Sequence, residues 1–159
     1  MSQNLIAALQ NPDLYPHEVE GFQVIETHIS WVILTGPYAY KLKKPVNFGF
    51  LDFTELSGRE HFCNEELRLN QRLTEGLYLD VLPITGSADV PAFGGEGPAI
   101  EYALKMRQFP QSQLLYDIFA PSCMIEKACA LLLHKPAIHA PLNHEISLII
   151  LIFLFSLVN

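Results

Sequence analysis

The sequence predicts an α+β fold: a five-stranded antiparallel sheet with one helix, followed by an apolar, helical tail. Three observations support this fold class. Short runs rich in β-branched and aromatic residues alternate with turn residues over segment 22–106. Residues 57–73 interrupt those runs with helical periodicity. Charge then becomes scarce, since residues 118–159 carry only two acids and two bases.

The composition is that of a folded domain. Hydrophobic residues make up 50% of the 159-residue chain, which is enough to bury a core. The formal net charge of -7 argues against a nucleic-acid partner, because nucleic-acid-binding domains carry a clustered basic surface. We predict an N-terminal helix and lead-in over residues 1–21, the sheet domain over 22–109, and a truncated or aberrant segment over 110–159.

The cysteines predict neither a zinc site nor a disulfide framework. Cys63, Cys123 and Cys129 are odd in number and show no CxxC spacing. A reducing compartment is therefore expected. The N-terminus shows no secretory signal pattern, so we predict a cytoplasmic protein.

The order of the elements predicts the sheet. Residues 1–10 form an amphipathic helix, with Leu5, Ile6 and Leu9 at helical spacing. The first three strands, joined by short links, predict a meander, and the last two predict a hairpin around a glycine-rich loop. The predicted strands are 22–26, 31–35, 38–43, 78–84 and 99–106.

The helix over residues 57–73 carries one unexpected acid. Either Thr54 or Ser57 could cap it, and Ser57 with Glu60 fits a capping box. Its predicted face is otherwise apolar and consists of Phe62, Glu66, Leu69 and Leu73. An acid in such a place is costly unless it is paired. Glu66 therefore has a cationic partner or lies at a rim where it reaches water, and Glu65 takes its place if the helix is rotated.

The third strand brings lysines to one face of the sheet. Period-two alternation puts Lys41 and Lys43 on the same face as Ala39, whereas Lys44 points the other way. A lysine on a rigid strand can hold a polyanionic phosphate chain, and a glutamate on a packed helix can orient that lysine. The alternative is a solvated cluster of lysines on an exposed strand.

Six segments in order carry a resemblance to a known family. They are HISWV at 28–32, GPYAYKLKKPV at 36–46, FGFLDF at 48–53, EELRLN at 65–70, YLDV at 78–81 and EYALKMRQFP at 101–110. On these segments the chain resembles bacterial two-module proteins that join an aminoglycoside-phosphotransferase-like kinase domain to a P-loop ATP-binding domain. The resemblance covers about residues 1–117.

The resemblance implies a protein-kinase-like small lobe that binds ATP. Lys41 would be the nucleotide lysine and Glu66 its partner on the helix. Lys43, Met106 and Ser30 would complete the nucleotide-binding residues. Residues from about Leu104 to Phe109, which include Met106, would be the connection to a large lobe, where backbone groups usually meet the adenine. Ser30 lies in the turn that replaces the glycine-rich loop of protein kinases.

The same resemblance implies that the catalytic residues are missing. Such kinases place a catalytic aspartate and a magnesium-binding aspartate on the large lobe. This chain has no aspartate after Asp117. We therefore predict no catalytic residue and no turnover by the chain alone, with magnesium bound only if a large lobe is supplied. A truncated or frame-shifted gene product is one explanation.

The tail leaves other functions open. Its apolar stretch begins at Ile146 and ends at Val158, which is 13 residues where a membrane span needs about 20. We predict a buried or interfacial helix, with a membrane anchor as the alternative. The chain could then be a non-enzymatic scaffold tethered through this stretch to a membrane or a protein partner. A lobe without its large partner could also have no function.

Overall fold

A computed structural model of the chain describes residues 3–49, 51–72, 74 and 76–108. The helices are α1 (Gln3–Ala8) and α2 (Leu56–Asn70), with a short 3-10 turn at Pro12–Leu14. The strands are β1 (Gln23–Glu26), β2 (Ser30–Leu34), β3 (Tyr38–Lys43), β4 (Tyr78–Gly86), β5 (Pro91–Phe93) and β6 (Glu101–Arg107). The predicted segment 110–159, with its apolar stretch, lies outside the described residues. Neither described helix has the length and apolar character needed to cross a membrane.

All six strands form one antiparallel sheet, in the order β1-β2-β3-β6-β4-β5. The predicted meander of β1, β2 and β3 is confirmed. The predicted pairing of the fourth run with the last is also confirmed, because β4 pairs with β6. Strand β6 inserts beside β3, so the lysine-bearing strand lies in the interior of the sheet with a neighbour on each side.

The prediction of five strands is wrong, because β5 adds a sixth. This strand pairs with the end of β4, with Ile84 opposite Phe93 and Gly86 opposite Pro91. The strand begins with a proline and is followed by glycines, so the local sequence predicts a turn at this segment. Gly86 begins the turn with a φ of 84°, a conformation that favours glycine.

Helix α1 covers one face of the sheet. Leu5, Ile6 and Leu9 are buried as the amphipathic pattern predicts, and they pack in one core with Tyr40 and Leu42. Tyr40 and Leu42 alternate with Lys41 and Lys43 along β3. Successive side chains of a strand point to opposite faces. The two lysines therefore belong to the face of the sheet away from α1.

Helix α2 packs against β4 and β6 and presents a polar face. Of the four positions predicted to form the buried face of this helix, only Glu66 is buried. The buried residues are Arg59, Cys63, Glu66 and Asn70. These positions follow the same i, i+4, i+7, i+11 spacing as the prediction, starting three residues earlier. Of the predicted set, Phe62 and Leu69 are half-buried, and Leu73 lies outside the described residues.

The predicted cap of this helix is also wrong. Glu55 is the N-cap, and its side chain makes no capping hydrogen bond. Ser57 lies inside the first turn of the helix, so its hydroxyl cannot cap it. The hydroxyl and backbone N–H of Thr54 donate instead to Asp52 Oδ1, at 2.6 and 2.9 Å. Asp52 thereby orders the loop before the helix.

Candidate functional site

Two lysines are buried in the middle of the sheet. The exposed fraction is 4% for Lys41 and 2% for Lys43. Lysine is almost never fully buried unless it is paired, so these positions require a partner. The alternative of a solvated lysine cluster is therefore wrong. Lys44 lies outside this site, as predicted, and pairs with Glu26 beside the Trp31 ring.

Glu66 is the partner of both buried lysines. Lys41 Nζ lies 2.8 Å from Glu66 Oε1, and Lys43 Nζ lies 2.7 Å from Oε2. The glutamate is 2% exposed, so the rim alternative is wrong. Glu65 is also excluded as the partner, because its carboxylate binds Arg68 at the surface. We call Lys41, Lys43 and Glu66 the lysine–glutamate cluster.

Burial and charge shift the pKa values within the cluster. Burial alone would raise the pKa of Glu66, but the two ammonium groups outweigh it and lower that pKa to about 2. Burial lowers the pKa of Lys41, although Glu66 opposes the shift. For Lys43 the balance is reversed: burial lowers its pKa, but the attraction of Glu66 outweighs this and leaves the pKa raised. The Glu66 carboxylate is therefore ionised at neutral pH.

Cys63 lies next to the cluster on the same helix face. Its side chain is fully buried, and that burial raises the pKa of the thiol to about 11. The charges of Lys43 and Lys41 lower this pKa, and the charge of Glu66 raises it, so all three groups of the cluster interact electrostatically with the thiol. Because only a thiolate is a strong nucleophile, Cys63 is inert at neutral pH.

A second buried ion pair supports the start of α2 and was missed in the sequence. Arg59 Nε donates to Glu101 Oε1 at 2.9 Å and to Oε2 at 3.0 Å. Arg59 Nη1 donates to the carbonyl oxygens of Phe53 and Thr54, at 2.8 and 2.7 Å. The pair thus connects the helix, the loop before it and β6. The signal that could have revealed it is the seven-residue spacing of Arg59 and Glu66, which puts both on one helix face.

An apolar strip continues the sheet face beside Lys41. Leu34 on β2, Ala39 on β3 and Met106 on β6 are consecutive cross-strand partners and share one face of the sheet. Val32 lies opposite Lys41 on the same face. Ala39 is buried, whereas the other three are half-buried. The site thus joins an apolar surface to buried ammonium groups.

Ser30 lies opposite Lys43 on β2, but its hydroxyl faces its own turn. Its side chain is fully buried, and its Oγ lies 3.2 Å from Thr27 Oγ1. Thr27 Oγ1 also accepts from the backbone N–H of Ser30 at 3.0 Å, and its hydroxyl donates to the Ser30 carbonyl oxygen at 3.1 Å. This turn satisfies its polar groups internally. A role of Ser30 towards nucleotide stays a prediction.

The structure brings together three of the five predicted binding residues, since Lys41, Lys43 and Glu66 form one hydrogen-bonded cluster. Ser30 is the cross-strand partner of Lys43. Met106 is the cross-strand partner of Ala39, two pairs along the sheet from Lys41. Chemically, this arrangement suits a ligand with an anionic end and a flat apolar end. The ammonium groups would attract the anion, and the half-buried apolar strip would contact the flat part.

Comparison with known proteins gives relatives of similar sequence. The chain is 33% identical over 117 residues to the uncharacterized proteins Mb2027c of Mycobacterium bovis and Rv2004c of Mycobacterium tuberculosis. The match covers 73% of this chain and 22% of each relative, so the chain spans about a fifth of their length. No family model and no solved structure matches the chain.

Proposed function

We propose that this chain contains the nucleotide-binding lobe of an aminoglycoside-phosphotransferase-like kinase. The observation that carries the proposal is the buried Lys41–Glu66 ion pair at 2.8 Å, which lies beside a half-buried apolar strip. Sheet order and helix placement are compatible with a kinase-like small lobe, since one helix packs on the sheet face that carries the lysines. The six segments that resemble this family add to the proposal.

The cost of burying charge supports a functional reason for the cluster. A buried ion pair contributes little net stability, because the desolvation of both groups offsets their attraction. Apolar residues of similar volume would serve the core as well or better. Strongly shifted pKa values, as in Glu66, are concentrated at functional sites. Binding an anionic ligand is the role that suits two buried ammonium groups.

Different residues of the site would contact different parts of ATP. Lys41 would hold phosphate oxygens as a fixed positive charge, and Glu66 would fix the position of Lys41. The strip of Val32, Leu34, Ala39 and Met106 would contact the base. ATP would supply the phosphoryl group for transfer to an acceptor.

Turnover would require residues beyond this lobe. In kinases of this type the catalytic and magnesium-binding aspartates come from a second lobe. For the lobe that the structure describes, we therefore propose nucleotide binding. The scaffold alternative depends on residues 146–158, which lie outside the described part of the structure.

Replacing Lys41 with methionine tests this function directly. We expect the affinity of the full chain for ATP to fall by roughly 10–100-fold, because a hydrogen bond to a charged group is lost. Isothermal titration calorimetry of wild type and variant measures it. The ion pair of Lys43 with Glu66 remains, so the buried carboxylate keeps a partner.

The control is Lys105→Met on the opposite face of the sheet. Lys105 pairs with Tyr40 in register, and its ammonium group lies 4.3 Å from the centroid of the Tyr38 ring. This variant removes the same charge from the same sheet and should bind ATP as wild type does. Equal affinity in wild type and Lys41→Met would refute the proposed role of Lys41.

A further inference from the structure

One buried polar atom next to the lysine–glutamate cluster has no partner. Asn70 follows Glu66 by one turn of α2 and is only 3% exposed. Within the part of the chain that the structure describes, its Oδ1 is the one buried side-chain oxygen or nitrogen that makes no hydrogen bond. A buried acceptor without a donor is costly, so this oxygen requires an explanation.

The orientation of the Asn70 amide is fixed by its nitrogen. Asn70 Nδ2 donates to the Glu66 carbonyl oxygen at 2.8 Å, and a reversed amide would bring two acceptors together there. The backbone carbonyl oxygen of Asn70 accepts from the N–H and from the hydroxyl of Thr74, both at 2.9 Å. The atom left over is therefore an acceptor, and only a hydrogen-bond donor can satisfy it.

Asn64 makes the same local hydrogen bond at the surface of the helix. Its Nδ2 donates to the carbonyl oxygen of Glu60 at 2.9 Å, as that of Asn70 does to Glu66. Asn64 is exposed, so its side chain meets water. Bonding to the preceding turn thus needs no burial, and it does not account for the buried acceptor of Asn70.

Asn70 lies level with the Met106 end of the apolar strip. Helix α2 packs against β6, and the ion pair of Arg59 with Glu101 fixes their register at the start of both elements. The rise from Arg59 to Asn70 along the helix and the distance from Glu101 to Met106 along the strand are both about 16 Å.

A contact at the end of the helix agrees with this placement. Gln71, next to Asn70, donates through Nε2 to the carbonyl oxygen of Tyr78 at 3.3 Å. Tyr78 is the cross-strand partner of Met106, which also pairs with Ala39 of the strip. The unpartnered acceptor therefore belongs to the end of the site where the flat part of a ligand would lie.

We propose that Asn70 is a specificity-determining residue that accepts a hydrogen bond from the amino group of adenine. This inference rests on the proposed function, in which the strip contacts the base. The amino group is the N–H donor that the adenine of ATP carries, whereas guanine carries an oxygen at the same ring position. A buried acceptor therefore favours adenine over guanine. Asn70 acts on the base, so the charges of the lysines play no part in this selectivity.

The ligand pair that tests the inference is ATP and purine riboside triphosphate, which is ATP without its amino group. Calorimetry with the full wild-type chain measures both affinities. We expect ATP to bind about five- to tenfold more tightly, which is the effect of one neutral hydrogen bond in a buried site. Equal affinities would overturn the inference, because the Asn70 acceptor would then be satisfied by internal water or left unpaired.

Asn70→Leu removes the acceptor with little change in side-chain volume. Its affinity for ATP should fall about five- to tenfold, whereas its affinity for the analogue should stay within about twofold of wild type. Urea unfolding without ligand should show the variant to be at least as stable as wild type, because a buried acceptor without a donor is removed. A less stable variant with equal losses for both ligands would mean that Asn70 is structural only, against the inference.

The matched control is Asn64→Leu, which removes the same local hydrogen bond at the surface and should change neither affinity. If wild type prefers ATP and Asn70→Leu keeps that preference, the amino group is recognised elsewhere and the inference alone fails. If wild type binds ATP but Lys41→Met does not weaken it, the proposed role of Lys41 fails, while the two affinities at Asn70 still decide the inference. A wild-type chain that binds neither ligand refutes both.

Discussion

Replacing Glu66 with glutamine is expected to lower the free energy of unfolding by about 3–5 kcal/mol. The substitution leaves Lys41 and Lys43 buried without the carboxylate that pairs with both of them. Glutamine has nearly the same shape, so the loss reports charge and not packing. Urea unfolding followed by circular dichroism measures it.

The matched control is Glu65→Gln, one position earlier on the same helix. Glu65 pairs with Arg68 at the surface, where side chains of both residues are partly exposed. Exposed ion pairs of this kind contribute little to stability, so Glu65→Gln should change the free energy of unfolding by less than about 1 kcal/mol. A loss at Glu66 no larger than that at Glu65 would contradict the assignment of a buried, paired carboxylate.

The effect of the Glu66 substitution should depend on pH in a defined direction. The pKa of Glu66 is lowered from 4.5 to about 2 in the folded chain, so folding favours the ionised carboxylate. Its contribution is present above pH 4.5 and is lost as the pH falls towards 2. The stability difference between wild type and Glu66→Gln should therefore shrink over this range. A difference that grows on acidification would contradict the pairing.

Replacing Arg59 with methionine should destabilise the chain to a similar extent, about 3–5 kcal/mol. The change leaves the buried Glu101 carboxylate without its cation and removes the donor to the Phe53 and Thr54 carbonyl oxygens. Thermal and urea unfolding measure the loss. A loss below about 1 kcal/mol would show that the pair is not buried as described.

The double variant Arg59→Met with Glu101→Leu is the control for this second pair. Removing both charges should restore the part of the stability that the unpaired Glu101 charge costs, because buried pairs replaced by apolar residues are often neutral. The loss of stability in the Arg59→Met single variant, relative to wild type, should also become smaller on acidification. Burial raises the pKa of Glu101 even with Arg59 present, and protonation then removes the uncompensated charge. A double variant no better than the single would contradict this.

The sequence predicts the sheet well because its strands carry strong local signals. β-branched and aromatic runs bounded by Gly36-Pro37 and similar turns mark β2 and β3. Strand β5 has no such signal: its three residues owe their strand conformation to pairing with the end of β4. A tertiary contact of this kind is invisible in a local pattern.

The candidate site is only partly predictable for a related reason. Alternation along β3 correctly predicts that Lys41 and Lys43 lie on one face of the sheet. The energetic cost of burying an unpaired acid correctly predicts that Glu66 has a cationic partner. Apolar periodicity misplaces the rest of the helix face, because helix α2 buries charge as well as apolar surface. Arg59 is buried through a partner on β6 that is 42 residues away. Helical spacing can place Arg59 on the same face as Glu66, but it cannot identify Glu101 as the partner.

The central claim is that the lysine-bearing face of the sheet binds nucleotide. The direct measurement is a series of ¹H–¹⁵N correlation spectra of the 159-residue chain during addition of ATP. We predict shifts of the amide signals of Val32, Lys41 and Met106, with those of Leu5 and Tyr15 on the α1 side unchanged. Absence of any shift, or shifts confined to the α1 side, would contradict the claim.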